Sequence, residues 1–493
     1  MNLNIKRLLG QTATYGLSSI VGRLLNYLLV PLYTSSAVFS NPSDYGVVSE
    51  LYSWVAFFVV FLPFGMETAF FRFLQNSDDK EKVFSNSFLS VLAINIIFYF
   101  GLLYFNTDLA NFMLYEGHNE YIVLLGAIVC IDAIASIPIA RLRAEEKALR
   151  FTIIQLISIG VNISLNLILL LGFFDPSRPE EGVLFILIAN LCASLVKIIL
   201  VYDIISKVVL KIDWALVKVL LRYSFPLVIA GLAGIVNETI DRILLKQLLY
   251  DPLIPGSLEA AEAEVGIYSA CYKLAMLVTI LLQAYRYAAE PFFFEQLKNE
   301  DRNKVYSKIM NLFIAVVCFV FLAVSVNVSL FKFFIRSEIY WEGLKVVPIL
   351  LLANVFLGIY INQSIWYKLS GKTKFGAYIA LIGALFTIGI NLLFIPTFGF
   401  MACAWATLIV YALQMMLSYY LGQKHYKIPY NTTKFAVYIG VAILFFLIFT
   451  LARLFFNVAL KDVNWSLLML GNSLLFVYVL LVVTLEKRLL KRG

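Results

Sequence analysis

The sequence predicts an all-α integral membrane protein of about 14 transmembrane helices, on three observations: its apolar content, the grouping of that content into long runs, and the alternating charge of the segments between them. Hydrophobic residues make up 61% of the 493 residues and charged residues 14%, with a mean hydropathy of +0.86; a soluble domain sits near 45–50% and about 25%. The runs are about 20 residues long, enough to cross a hydrocarbon core of ~30 Å as helices. A soluble core of this length has no room for so much apolar surface, so the soluble-globular class is excluded.

Spans are predicted near 11–34, 45–66, 85–106, 121–140, 151–172, 183–204, 219–241, 265–286, 306–330, 344–366, 376–395, 400–421, 434–455 and 465–485. The segment after Lys6 and Arg7 is too long and too polar for a cleavable signal core, and it reads as the first span. The connecting segments alternate. One set is short and basic, with Arg141, Arg143, Lys147 and Arg150, then Lys207, Lys211, Lys218 and Arg222, then Lys368, Lys372 and Lys374, and finally Lys487, Arg488, Lys491 and Arg492. The opposite set is poor in Lys and Arg; residues 107–120 hold Asp108, Glu116 and Glu120 and no Lys or Arg. By the positive-inside rule the basic set is cytoplasmic, so both termini are expected in the cytoplasm. The net charge of +8 therefore reflects topology, and no nucleic-acid partner is implied.

The chain repeats itself weakly. DYGVVSELYSWVAFFV (44–59) aligns with EVGIYSACYKLAMLVT (264–279) through Gly46/Gly266, Ser49/Ser269 and Tyr52/Tyr272, and Tyr15 lines up with Tyr223 upstream. Six spans separate the copies, so the repeat is parallel. It divides the chain into an N-lobe (1–210, spans 1–6), a C-lobe (211–430, spans 7–12) and two accessory spans (431–493), with a substrate path expected between the lobes. Residues 246–264 are expected to form an acidic extracytoplasmic loop with room for a short surface helix.

Several chemistries are excluded or left without support. No GxxxxGK[ST] phosphate loop occurs, and no loop has room for a nucleotide-binding or catalytic domain. The chain is therefore not expected to be an enzyme. Its two histidines, His118 and His425, lie in predicted loops, and the five cysteines fall inside apolar runs without CxxC spacing. No metal or other cofactor is expected beyond an H+ or Na+ used for coupling.

The informative residues are the charges within spans, because a charge at the bilayer centre costs about 2.5–3.5 kcal/mol even on the lenient insertion scale. Arg23 sits midway along span 1 on a polar face with Thr12, Gly16, Ser19 and Asn26. It reads as a cavity cation or as a structural partner of Asp132 in span 4. Lys273, mid-span 8 beside Tyr272, reads as a second cavity cation or a snorkelling lysine. Lys197, nearer a span end, reads as snorkelling. Glu238 and Arg242 have the i,i+4 spacing of an ion pair; Glu238 and Asp241 alternatively suit ion coupling, as do Asp132 and Glu50. Glu50 and Glu67 also read as boundary residues. Gln155, Ser158, Asn162 and Asn166 share one face of span 5, which suits either helix–helix hydrogen bonding or substrate contact. Tyr52 completes the polar set.

Residues 16–34 (GLSSIVGRLLNYLLVPLYT) with the DYGVVS start of span 2, and YSFPLVIAGLAGIVNETIDRILL (223–245) with VGIYSACYKLA (265–275), resemble the polysaccharide (O-antigen and capsule) flippases of the multidrug/oligosaccharidyl-lipid/polysaccharide exporter superfamily. The resemblance implies alternating access and movement of undecaprenyl-pyrophosphate-linked oligosaccharide between leaflets of a bacterial inner membrane. It also implies a cavity arginine at Arg23, a lipid-tail groove at the last two helices, and working partners among polysaccharide polymerases and glycosyltransferases, with membrane lipid around the fold. A peptidoglycan-precursor flippase, a multidrug antiporter of the same superfamily and a non-transporting scaffold are the rival readings.

Overall fold

A computed structural model describes residues 21, 22, 24–75, 77–295 and 300–490. Among these the chain is helical and without strands. The elements that matter here are α1 (Leu24–Tyr33), α2 (Pro42–Phe61), α3 (Met66–Gln75), α4 (Lys80–Tyr104), α5 (Asn119–Ala144), α6 (Ala148–Gly172), α7 (Pro179–Leu200) and α8 (Trp214–Leu249). There follow α9 (Ser257–Glu295), α10 (Arg302–Val326), α11 (Val347–Gln363), α12 (Lys374–Phe398), α13 (Phe400–His425), α14 (Thr432–Phe455) and α15 (Trp465–Leu490). Thirteen described helices are long and apolar enough to cross a membrane, α2 and α3 counting as one. The shorter apolar helix α1 is the described part of the expected first span, so the all-α, multi-pass fold class holds.

Local chemistry sets the helix starts. Asn41 accepts from the Ser43 N–H (3.1 Å) with Pro42 behind it at the start of α2. Asp79 caps α4 through Lys82 N–H (2.9 Å), Asp213 caps α8 through Ala215 N–H (2.9 Å), and Asn464 accepts from Leu467 N–H (3.1 Å) as α15 begins. Each satisfies a backbone donor that the helix itself leaves unpaired. Along the helices, side chains such as Ile97 (74% exposed), Leu171 and Leu393 stand outward. In a chain of this hydropathy those faces belong to lipid.

The second predicted span is interrupted. Between α2 and α3, Phe64 and Gly65 both have positive φ (52° and 63°), and Asn95 reaches across from α4 to the carbonyl of Leu62 (3.4 Å). A Cβ on Gly65 would lie 3.1 Å from the Ser224 carbonyl oxygen of α8. Gly65→Val is therefore expected to destabilise the protein by about 1–2 kcal/mol, read as a lower unfolding temperature in detergent; an unchanged temperature would show that the break tolerates a side chain.

Two compact units divide the chain: residues 1–29 with 36–265, and 30–35 with 266–493. The seventh expected span, α8, thus clusters with the first unit, whereas the repeat places it at the head of the C-lobe. The reasons are local. The α7–α8 connection is pinned to α4 by Ser85 (to Val209 N–H, 3.0 Å), Asn86 (to Asp213 N–H, 2.8 Å) and a Lys82–Asp213 ion pair at 2.6 Å. Lys82 holds the Asp213 carboxyl below the usual carboxylate range. α8 itself packs on α2 and α3.

The basic segments of the first unit are partly neutralised by ion pairs: Arg141 with Glu81 and Glu145, Arg143 with Glu67, and Arg150 with Asp203. Glu67 is thus the partner that joins α3 to α5. In the second unit α10, α11, α14 and α15 pack together, and α13 lies against α11 and α12.

The expected acidic loop 246–264 is mostly helix. α8 continues to Leu249 and α9 begins at Ser257, so Lys246, Glu259 and Glu262 are helical residues and only 250–256 connects them.

Candidate functional site

Two polar assemblies lie inside the first unit. The first grows from two helix faces. On α6, Gln155, Ser158 and Asn162 recur at i, i+3 and i+7; on α7, Asn190, Ala193 and Lys197 do the same. The two stripes line one cavity of about 300 Å³, to which α1 contributes Asn26 and α6 contributes Phe151. Ser158 ties the faces together by donating to the Ala193 carbonyl (2.9 Å). Asn162 donates toward Asn26 Oδ1 at 3.5 Å, and the buried Asn166 one turn on donates to the Asn162 carbonyl (2.8 Å). Behind the lining, Asn190 donates to the Tyr52 hydroxyl (3.0 Å).

Lys197 is the described cation of this cavity. It does not snorkel: its Nζ lies 2.8 Å from Asp132 Oδ1 on α5, with both side chains about three-quarters buried. Ion pairing of the two charges answers the desolvation each would otherwise suffer. The resulting surface is amide- and hydroxyl-rich with one lysine whose charge is balanced. Such a lining offers donors and acceptors to sugar hydroxyl and acetamido groups, and an ammonium to an anion able to compete with Asp132.

The second assembly centres on Lys246 of α8, which the sequence reading placed in a loop. Lys246 and Glu50 of α2 are fully buried, and Lys246 Nζ sits 3.0 Å from Glu50 Oε2 and 3.1 Å from Glu262 Oε1 on α9. It also donates to the Met113 carbonyl (3.0 Å) and lies 3.4 Å from the centroid of the Tyr115 ring. The Tyr115 hydroxyl donates to Glu50 Oε2 (2.6 Å), and the Trp54 indole N–H to Glu50 Oε1 (3.3 Å). Glu50 is therefore a core anion rather than a boundary residue. Tyr115 and Glu262 also form part of the wall of a cavity of about 380 Å³, with Asp44, Glu116 and His118.

The remaining predicted residues fall elsewhere. Arg242 donates to Asp241 Oδ1 (3.0 Å) and to the Glu238 backbone carbonyl (2.9 Å), so its acid partner here is Asp241, and the Glu238 side chain is exposed. Lys273 is half-buried in the second unit, and Tyr272 beside it is buried, 5.9 Å from the Tyr268 ring. Arg23 and Ser19 lie outside the described residues. Among the described residues no group of three or more His, Cys, Asp or Glu is placed to hold a metal ion.

The sequence pattern of the polysaccharide biosynthesis protein family matches residues 8–297, more than half of the chain. The chain belongs to that family. Two Haemophilus influenzae proteins are distant relatives: a protein of the Lsg locus, 20% identical over 291 residues, and an uncharacterised membrane protein, 22% identical over 296 residues. The matches cover 58% and 59% of this chain and 66% of each relative, just under two thirds of their length. Among solved structures, Lipid II flippase MurJ in an inward closed conformation is similar with a TM-score of 0.70 at 14% identity, covering 97% of this chain and 99% of that one. An inward-facing multidrug resistance MATE family transporter of the MOP superfamily gives 0.59 at 17% identity, over 84% and 94%. At these identities the likeness is one of fold, and it places this family member in the architecture of the MurJ and MATE proteins.

Proposed function

We infer that the protein is a flippase for undecaprenyl-pyrophosphate-linked oligosaccharide, moving it from the inner to the outer leaflet of a bacterial inner membrane by alternating access, with both termini cytoplasmic. The reading rests most on the amide-lined cavity with its ion-paired lysine, found inside a member of a polysaccharide biosynthesis family that has a transporter's fold. Gln155, Asn162 and Asn190 would contact the sugar. Arg23, Lys197 and Lys273 are the cations proposed for the headgroup, since paired cations replace part of the hydration that a pyrophosphate loses.

Coupling to H+ or Na+ falls best on Asp132. A pyrophosphate that takes Lys197 leaves this carboxylate without its counter-charge, the place a coupling H+ or Na+ would take. Glu50, Glu238 and Asp241 are the other proposed coupling carboxylates, and Glu50 and Asp241 are already committed to cations. Polymerase and glycosyltransferases are the proposed working partners, and the protein itself catalyses no bond change in this reading.

Reconstitution in liposomes tests it. The purified protein is expected to speed the transbilayer movement of a fluorescent undecaprenyl-pyrophosphate oligosaccharide well above that of protein-free vesicles; equal rates would leave a scaffold rather than a flippase. A peptidoglycan-precursor substrate is the second reading, favoured by the near-complete structural match to a lipid II flippase. Faster movement of a muramyl-pentapeptide carrier than of the oligosaccharide carrier would select it.

A further inference from the structure

α14 and α15 carry no charge in their middle turns; near one end Lys434 and Glu486 pair (2.7 Å), and near the other end of α14 stands Arg453. It lies in the last turn of α14, where Phe455, Phe456 and Trp465 are 84%, 62% and 70% exposed. Aromatic side chains exposed at a span end mark the level of the membrane–water boundary. An arginine at that level ordinarily snorkels into water or headgroups. In Arg453, which is partly exposed, the Nε and Nη1 atoms are nevertheless buried and have no hydrogen-bond partner.

The guanidinium instead lines a cleft within the second unit, walled by Val326, Phe449, Leu467 and Leu468. The free space is about 20 Å³, room for a single oxygen-sized atom. Ser329 and Asn464 are the neutral polar side chains of the lining, and Asp462, its one acid, is exposed. Among the described residues no ion pair joins Arg453 to Asp462. The contrast with Lys332, three residues beyond Ser329, is informative. That lysine is more deeply buried (7% exposed), yet it is satisfied by the Lys461 carbonyl (2.5 Å) and lies 3.9 Å from the Trp341 ring centroid. Buried guanidinium donors without acceptors carry a desolvation penalty that an anionic oxygen removes.

We propose that the cleft between α10, α14 and α15 is a binding site for a phosphoryl group at the membrane boundary, one anionic oxygen entering the cavity to accept from Arg453. This goes beyond the flippase reading and does not depend on which lipid is transported. A lipid phosphate and free inorganic phosphate share that chemistry. The exposed apolar and aromatic side chains around the cleft favour the lipid, whose chains would lie along Leu451 and Leu454 (65% and 63% exposed).

Native mass spectrometry of the full-length protein in a non-ionic detergent tests the site, with dihexanoyl-phosphatidylglycerol, inorganic phosphate and phosphate-free dihexanoylglycerol as probes. One phosphatidylglycerol per chain is expected, weakened roughly tenfold or more by Arg453→Gln and strengthened by Asp462→Asn, which removes the competing acid. Inorganic phosphate that displaces the lipid with similar affinity supports the phosphoryl site and assigns it to the free ion. Equal binding of dihexanoylglycerol, or undiminished binding by Arg453→Gln, overturns it. Should Arg453→Gln fail to fold, Asp462→Asn decides alone, because affinity that is unchanged or lower overturns the site.

Discussion

Replacing Lys246 by methionine is expected to cost the protein about 3–5 kcal/mol of stability, the range for removing one partner of a buried ion pair, and to deplete it from membranes. The substitution keeps the volume and apolar stem but strands Glu50, which has no exposure, and Glu262, whose side chain is 13% exposed. Two carboxylates would then share a buried site with the Tyr115 hydroxyl and Trp54 N–H as the donors left to Glu50. Adding Glu50→Gln and Glu262→Gln to Lys246→Met is expected to restore most of the loss, because no charge then remains buried. Measurement is by thermal unfolding in detergent and by protein level in membranes. A single mutant as stable as the parent, or a triple mutant no better than the single, would show that the network is not what holds α2, α8 and the start of α9 together.

That network also marks where the sequence stopped being readable. Its members lie on three helices and on the stretch before α5, and hydropathy placed Lys246 outside the membrane because KQLLYDP reads as the end of a span. Only the observed run of α8 to Leu249 makes it a core residue. Glu50 was visible as a charge one turn into a span, but nothing local could separate a boundary glutamate from a buried one; burial depends on which helix covers it. The interruption at Phe64 was illegible for a different reason: phenylalanine carries no turn preference, and its positive φ accompanies a close approach of Gly65 to α8 that only the fold shows. By contrast the span pattern and the α6 face were legible, because both follow from periodicity within one segment. Gln155, Ser158 and Asn162 must share a face whenever that segment is helical. Asp132 and Lys197 were each recognised as unusual, yet their pairing across 65 positions of sequence required the fold. The lysine's closeness to a helix end made snorkelling the natural expectation.

The same pair separates a structural from a transporting role for the cavity. In Lys197→Met, Asp132 loses its ion-pair partner, so a fall in transport alone would be ambiguous between damage to the helix packing and loss of a headgroup ligand. Lys197→Met with Asp132→Asn removes both charges together and is expected to fold like the parent, since neutral, hydrogen-bonding groups remain. If the ammonium meets an anionic headgroup, the double variant still loses transport, by about tenfold or more for one charge-assisted hydrogen bond. Asp132→Asn alone leaves the lysine free of its competitor. It is expected to bind the pyrophosphate carrier more tightly, because the anion no longer competes with Asp132 for the ammonium. A double variant that flips substrate at the parental rate would remove Lys197 from the headgroup site. The cavity would then be left to the neutral sugars that Gln155, Asn162 and Asn190 are suited to bind, and the headgroup to Arg23 and Lys273.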